Sequence, residues 1–255
     1  MSLPYQSALT IAGHELRSLF LSPLAWVMLA ITQLILAYMF LIQIDYYLTL
    51  APQLVGIKNA PGITDLIVAP LFGNAAVILL LITPLITMRL ISDERRNQTI
   101  SLLFSAPVSM LDIVLGKFLA TFGFLMIILF FIALMPLSLL IIGDLDFGKF
   151  LAGILGLVLL LAAFDALGLY MSCLSSQPTV AAVSSFGALL LLWIIDWAGS
   201  SEQASGLFGY LSLLRHFENL VQGLVHSTDI LYFILFIGGF LILSVRRLDN
   251  ERLQR

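Results

Sequence analysis

Long apolar runs alternate with short polar stretches along this chain. The runs fall at about 24–44, 66–88, 118–142, 150–174, 180–197 and 230–245, and most are close to the roughly 20 residues needed to cross a hydrocarbon core about 30 Å thick. The last two are short, yet a short run still crosses where neighbours cover its ends or the helix extends through polar residues at the boundary. With those boundary residues included, the expected spans are 24–47, 66–91, 113–142, 150–174, 180–197 and 229–246. The pattern therefore predicts an all-α integral membrane protein with six transmembrane helices, in one membrane domain over 1–255 and with no room for a separate soluble domain.

Three amphipathic stretches surround these spans. Over 1–22, Tyr5, Ala8, Leu9, Ala12, Leu16, Leu19 and Phe20 recur at helical spacing, which predicts an interfacial helix, and Ser22-Pro23 turns the chain into the bilayer. Between the fifth and sixth spans, Leu207, Tyr210, Leu211, Leu214, Phe217, Val221, Leu224 and Val225 form one stripe, with Arg215, His216, Asn219 and Gln222 opposite it. Residues 205–226 thus read as an amphipathic helix at the outer surface or a re-entrant hairpin broken at Gly206, Gly209 and Gly223. The third stretch is the polar island 89–117. Here Ser92 is an expected N-cap, Asp93 and Glu94 place negative charge in a first turn, and the helix is expected to end near Ser105-Ala106-Pro107. Ser109 and Asp112 then have the spacing of a capping box at the head of the third span.

Composition agrees with a membrane location. Sixty per cent of the residues are hydrophobic and 11% charged, with a mean hydropathy of +1.07, against about 25% charged in soluble domains. The net charge of −3 matters less than where Lys and Arg lie, and nothing in it suggests nucleic acid. An even number of spans puts both termini on one side. With the termini inside, the inner segments hold Arg17, Arg89, Arg95, Arg96, Lys117, Arg246, Arg247, Arg252 and Arg255, and the outer ones hold Lys58, Lys149 and Arg215. Nine against three places both termini in the cytoplasm. Arg17 before an apolar run resembles a secretory leader, but the run is too long for one and five more follow, so it reads as an uncleaved first span.

Few residues offer chemistry. Cys173 is the single cysteine, and His14, His216 and His226 are too scattered for a metal site. No G-x-x-x-x-G-K-[ST] segment is present, since Gly116-Lys117 runs on into Phe118 without the earlier Gly or the hydroxyl. Asp165 falls in the middle of the fourth run, where a charge costs about 3 kcal/mol on insertion scales. It either lines a transport path or hinge, or is a structural carboxyl bonded to a neighbouring helix. Glu218 projects within the apolar stripe of the outer stretch, where a carboxylate needs a partner, and carries the same two readings. Pro70, Pro84 and Pro136 are expected kink sites in the second and third spans.

Several motifs carry a resemblance. Asp93-Glu94-Arg95-Arg96, Thr99-Ile100, Leu102-Leu103, Ala106-Pro107-Val108 and Leu115-Gly116-Lys117 resemble the loop between the second and third spans of ABC transporter permeases of the second exporter class. The group that includes gliding-motility and copper-enzyme-maturation permeases is the most similar. Glu15-Leu16-Arg17 with Ser22-Pro23, Leu174-Ser175-Ser176 with Ala181-Ala182, and His216-Phe217-Glu218 with Gly223, Asp229 and Tyr232-Phe233 extend the likeness over nearly the whole chain. The group usually has Gly before the Thr of the coupling segment, where this chain has Gln98.

The resemblance implies a permease subunit of the bacterial inner membrane whose coupling segment, 92–112, seats in a separate ATP-binding-cassette ATPase and couples ATP hydrolysis there to export or force transmission. ATP and Mg would lie in that partner, with no cofactor bound by this chain. Glu94, Arg95 and Arg96 would orient the docking by charge, and Thr99, Leu102, Leu103, Phe104 and Pro107 would complete the contact. A second permease chain, identical or related, and an auxiliary membrane or periplasmic subunit are further expected partners. Secondary carriers or channels, and a membrane scaffold, are the alternatives from other classes; carriers more often show several intramembrane charges or broken helices near the midplane.

Overall fold

In the computed structural model of the chain, residues 4–54, 61–100, 108–141, 145–199 and 212–253 are described, and among them all regular structure is helical. Helix α1 (Pro4–Leu21) ends at Ser22, and α2 (Pro23–Leu54) begins at the next residue, as the Ser-Pro step predicts. A π-helical turn at Thr64–Val68 runs without a break into α3 (Ala69–Thr87), with Pro70 at the junction of the two. After the short α4 (Ser92–Arg96) come α5 (Met110–Leu137), α6 (Phe147–Leu174), α7 (Pro178–Gly199), α8 (Leu213–Val221) and α9 (Ser227–Leu253). Six helices among the described residues are long and apolar enough to cross a membrane. They coincide with the six hydrophobic runs.

Helix α6 is the axis of the bundle. In its most apolar stretch 72% of the residues are buried, against 17% in α2 and in α9, so α6 is surrounded by protein while α2 and α9 present most of their side chains outward. Small residues set how closely the neighbours approach, as membrane packing requires where no hydrophobic driving force exists between spans. At Gly168 an added Cβ would lie 2.2 Å from Thr87 Oγ1, so α3 and α6 touch there almost backbone to side chain. At Gly116 it would lie 2.8 Å from Ile11 Cβ and 3.0 Å from the Ala8 carbonyl oxygen, so α1 lies directly against the head of α5.

That contact defines the buried face of α1. Ala8 is buried and Ile11, Glu15, Leu16 and Leu19 are half covered, whereas Leu9 is 65% exposed and lies off the face. Helices α2 and α9 outrun the expected spans at their C-terminal ends, 47 and 246. In α9 the excess turns are held by packing and charge, since Leu248 is fully buried and Glu251 pairs with Arg95.

The outer stretch departs from the helical wheel. Leu213, His216, Phe217 and Leu220 form the buried face of α8, and Phe217 and Leu220 pack on α6 beside Gly156. Glu218 is exposed rather than set in an apolar face. The stripe expected there is rotated because contact with α6, not the longest apolar row, chooses the face. Residues 205–211 lie outside the described residues.

Replacing Gly116 by Val should lift α1 from α5, at a cost of about 1–3 kcal/mol for overpacking. A lower thermal unfolding midpoint in detergent, with faster proteolysis at Arg17, is the expected result.

Candidate functional site

After Thr87 the chain turns into α4, whose five residues are too few to hold a helix alone. Its charges suit the dipole, with Asp93 and Glu94 in the first turn and Arg95 and Arg96 in the last. The capping differs from expectation. Ile91 occupies the N-cap position without a side-chain bond, while Ser92 is fully buried and its hydroxyl donates backward to the Met88 carbonyl. The missing cap is supplied from α6, where Ser172 Oγ accepts from the amides of Ile91 (3.1 Å) and Ser92 (3.2 Å) and donates to the Met88 carbonyl (3.0 Å). A hydroxyl from another span thus satisfies donors that a local side chain usually serves.

The helix also stops earlier than the expected 105–107. The Gln98 amide donates to the Arg95 carbonyl (3.2 Å) and the Thr99 amide to the Glu94 carbonyl (2.9 Å), the pair of bonds of a Schellman ending. That ending needs a left-handed residue, and Gln98 takes it with φ of 58°. Glycine most often takes this position in such an ending, so with Gln98 the turn is retained at a steric cost of about 1 kcal/mol.

Lys117, about two turns into α5, is the hub. Its side chain is 3% exposed, with Nζ 2.6 Å from Glu15 Oε1 of α1 and 2.8 Å from Glu94 Oε1 of α4. Two carboxylates around one ammonium leave the cluster with one net negative charge. On the next residue of α4, Arg95 reaches Glu251 of α9 at 2.5 Å. The elbow is therefore tied by side chains to α1, α5, α6 and α9. Ser109 caps α5 as its spacing predicts, accepting from the Asp112 amide (3.1 Å) and donating to Asp112 Oδ2 (2.7 Å).

The expected contact residues divide in two. Glu94 and Arg95 are engaged inside the chain, while Arg96 and Thr99 are exposed on the elbow; Leu102, Leu103, Phe104 and Pro107 lie outside the described residues. Asp165 does not enter the cluster. It is fully buried in α6 and accepts from Thr121 Oγ1 at 2.6 Å, one turn deeper along α5 than Lys117. Its Oδ2 has no hydrogen-bond partner among the described residues.

A second polar tie closes the opposite end. His216 Nδ1 lies 2.6 Å from Asp229 Oδ1, Asn219 donates to Asp229 Oδ2 at 3.2 Å, and the Tyr232 ring stacks on His216 with centroids 4.2 Å apart. Residues quoted only as a signature thus meet in space and fix α8 to the start of α9. Beside them, Lys149 pairs with Asp65 at 2.6 Å. None of these pairings was legible from spacing, because their members lie from 10 to 156 residues apart.

Lys117→Met should leave Glu15 and Glu94 facing each other without a counter-charge. A loss of about 3 kcal/mol is expected, the low end for breaking a buried pair. Adding Glu15→Gln and Glu94→Gln should restore most of it, as measured by thermal unfolding in detergent.

The model of a family described as ABC-2 family transporter protein matches residues 9–253. None of the curated proteins compared matches the chain. The family match takes in α1, the elbow and every candidate span, and permeases of this kind work in general with an ATP-binding subunit. The chain belongs to the ABC-2 family of transporter proteins, as a multi-pass permease component of an ABC transporter.

Proposed function

We propose that the elbow is the coupling element of this permease, the place where ATP hydrolysis by a separate ATP-binding-cassette subunit is converted into movement of the spans. The observation that carries the reading is the clasp around α4. Glu94 and Arg95 tie the elbow to α1, α5 and α9, and Ser172 ties it to α6, so a force applied to it is distributed to four helices. A loop free of such ties would absorb the force instead.

In this reading the two sets of residues have separate tasks. Arg96 and Thr99, exposed on the elbow, meet the ATPase together with Leu102, Leu103, Phe104 and Pro107, while Glu94 and Arg95 transmit. ATP and Mg stay in the partner. The excess of Arg and Lys among the segments expected on this face supports a cytoplasmic location for it and for both termini, in a bacterial inner membrane. The outward-facing side chains of α2, α7 and α9 leave surface for a second permease chain as well as for lipid. Transport outward, or force transmission in the manner of the gliding-motility and copper-enzyme-maturation group, is the work assigned to the pair; α1 is its interfacial helix and α8 an outer surface helix.

Arg96→Glu should abolish most copurification of the ATPase subunit while leaving the unfolding midpoint of the permease unchanged. Arg95→Gln should do the reverse, preserving association but lowering the midpoint and uncoupling ATP hydrolysis from transport. Full association and transport in both variants would remove the elbow from the coupling path. Asp165→Asn retains an oxygen that can accept from Thr121, so assembly and transport should both persist. Retained assembly with lost transport would instead place Asp165 on the transport path.

A further inference from the structure

A cavity of about 310 Å³ opens beside the clasp, between the α1–α2 turn, the end of α3 and the head of α5. Its two ends differ in chemistry. One is apolar, walled by Met28 and Ile86 and flanked by Leu24 and Leu85, which are 39% and 42% exposed on the outside of the bundle. That end is open to hydrocarbon.

The other end lies at the level of the charge cluster. Lys117 is consumed there by Glu15 and Glu94, which leaves Arg89 and Asp93, both lining the cavity and neither in an ion pair among the described residues. Glu15 and Ser22 line the same cavity. The polar end thus offers the Arg89 guanidinium as a donor next to the Asp93 carboxylate as an acceptor.

We propose that this cavity binds a phospholipid with a primary-amine head group, taken from the leaflet on the elbow's side. The phosphate sits by Arg89, the ammonium by Asp93, and the acyl chains leave along Leu24 and Leu85. The juxtaposition selects the ligand class in two ways. An anionic lipid without an amine would bring its phosphate toward Asp93 with nothing to offset it. A quaternary ammonium carries no N–H to give to the carboxylate. A water-soluble zwitterion would leave the apolar end empty, and the volume suits a head group with its chains outside rather than a whole lipid. A lipid seated there fills the space between the interfacial helix and the elbow, so its presence stiffens the clasp.

Native mass spectrometry of the full chain in detergent, with equal amounts of phosphatidylethanolamine, phosphatidylcholine and phosphatidylglycerol, tests this. Phosphatidylethanolamine should be retained in preference to both others. Arg89→Ala should lower its retention about tenfold, the loss expected for one charge-assisted hydrogen bond, and Asp93→Asn should narrow the preference over phosphatidylglycerol. Met28→Trp, which fills the apolar end without touching a charge, should also lower retention, so the test does not depend on the charge variants folding. Equal or better retention of phosphatidylglycerol, indifference to Arg89→Ala and Met28→Trp, or equal binding of glycerophosphoethanolamine without chains would each overturn the assignment.

Discussion

An ammonium withdrawn from water at the head of a transmembrane helix costs several kcal/mol unless charges and hydrogen bonds of its own replace the solvent. Lys117 meets that demand with two carboxylates brought from different parts of the chain, Glu15 from α1 and Glu94 from α4. The geometry is possible because the residue before it is Gly116, across which α1 lies close enough for Glu15 to reach. A side chain at 116 would move the very helix that supplies the counter-charge. Packing and electrostatics are therefore a single constraint here, and the elbow, α1 and α5 hold their positions through it.

The consequence for α4 is that its order comes from outside itself. Five residues cannot sustain a helix by propagation, and its N-terminal amides are capped from α6 while its charged side chains are anchored on α5 and α9. Such a segment either holds all these ties or loses them together. That cooperativity separates α4 from a slack linker, because a displacement of α4 must be followed by the spans or must break several bonds at once.

The spans were legible because a bilayer leaves a continuous hydrophobic signature about 20 residues long, and each of the six runs is a helix. Local capping was legible where both partners are local, as with Ser109 and Asp112. Ser92 shows where that reasoning stops. Its sequence context is that of an N-cap, yet a buried hydroxyl in α6 takes the task, and no spacing rule records that Ser172 lies 80 residues downstream. The face of α8 was misplaced for a related reason. Helical periodicity finds the longest apolar row, whereas burial follows the neighbour, and the neighbour accepts Phe217 and Leu220 over Gly156 together with a histidine already satisfied by Asp229. Gln98 is the converse case. The left-handed turn persists without its usual glycine because the flanking hydrogen bonds of the Schellman ending still favour it.

Polar ties gather at the two ends of the bundle while the middle is packed almost entirely by apolar and small residues, and the bilayer accounts for that division. Within hydrocarbon, apolar contact between helices competes only with apolar contact to lipid, so close approach at glycine supplies affinity but little directional preference. Ion pairs near the interfaces supply direction, since each fixes which helices meet and at what rotation. Two polar contacts lie deeper: Asp165 with Thr121, one turn further along α5 than Lys117, and Gln33 Nε2 of α2 donating to the Ile128 carbonyl at 3.1 Å. The Asp165 contact, buried between α6 and α5, makes rotation of α5 against α6 costly, whereas α2 and α9 bury few of their side chains. Movement of the elbow would therefore carry α5 and α6 as one unit and leave the peripheral helices to change their angle around it.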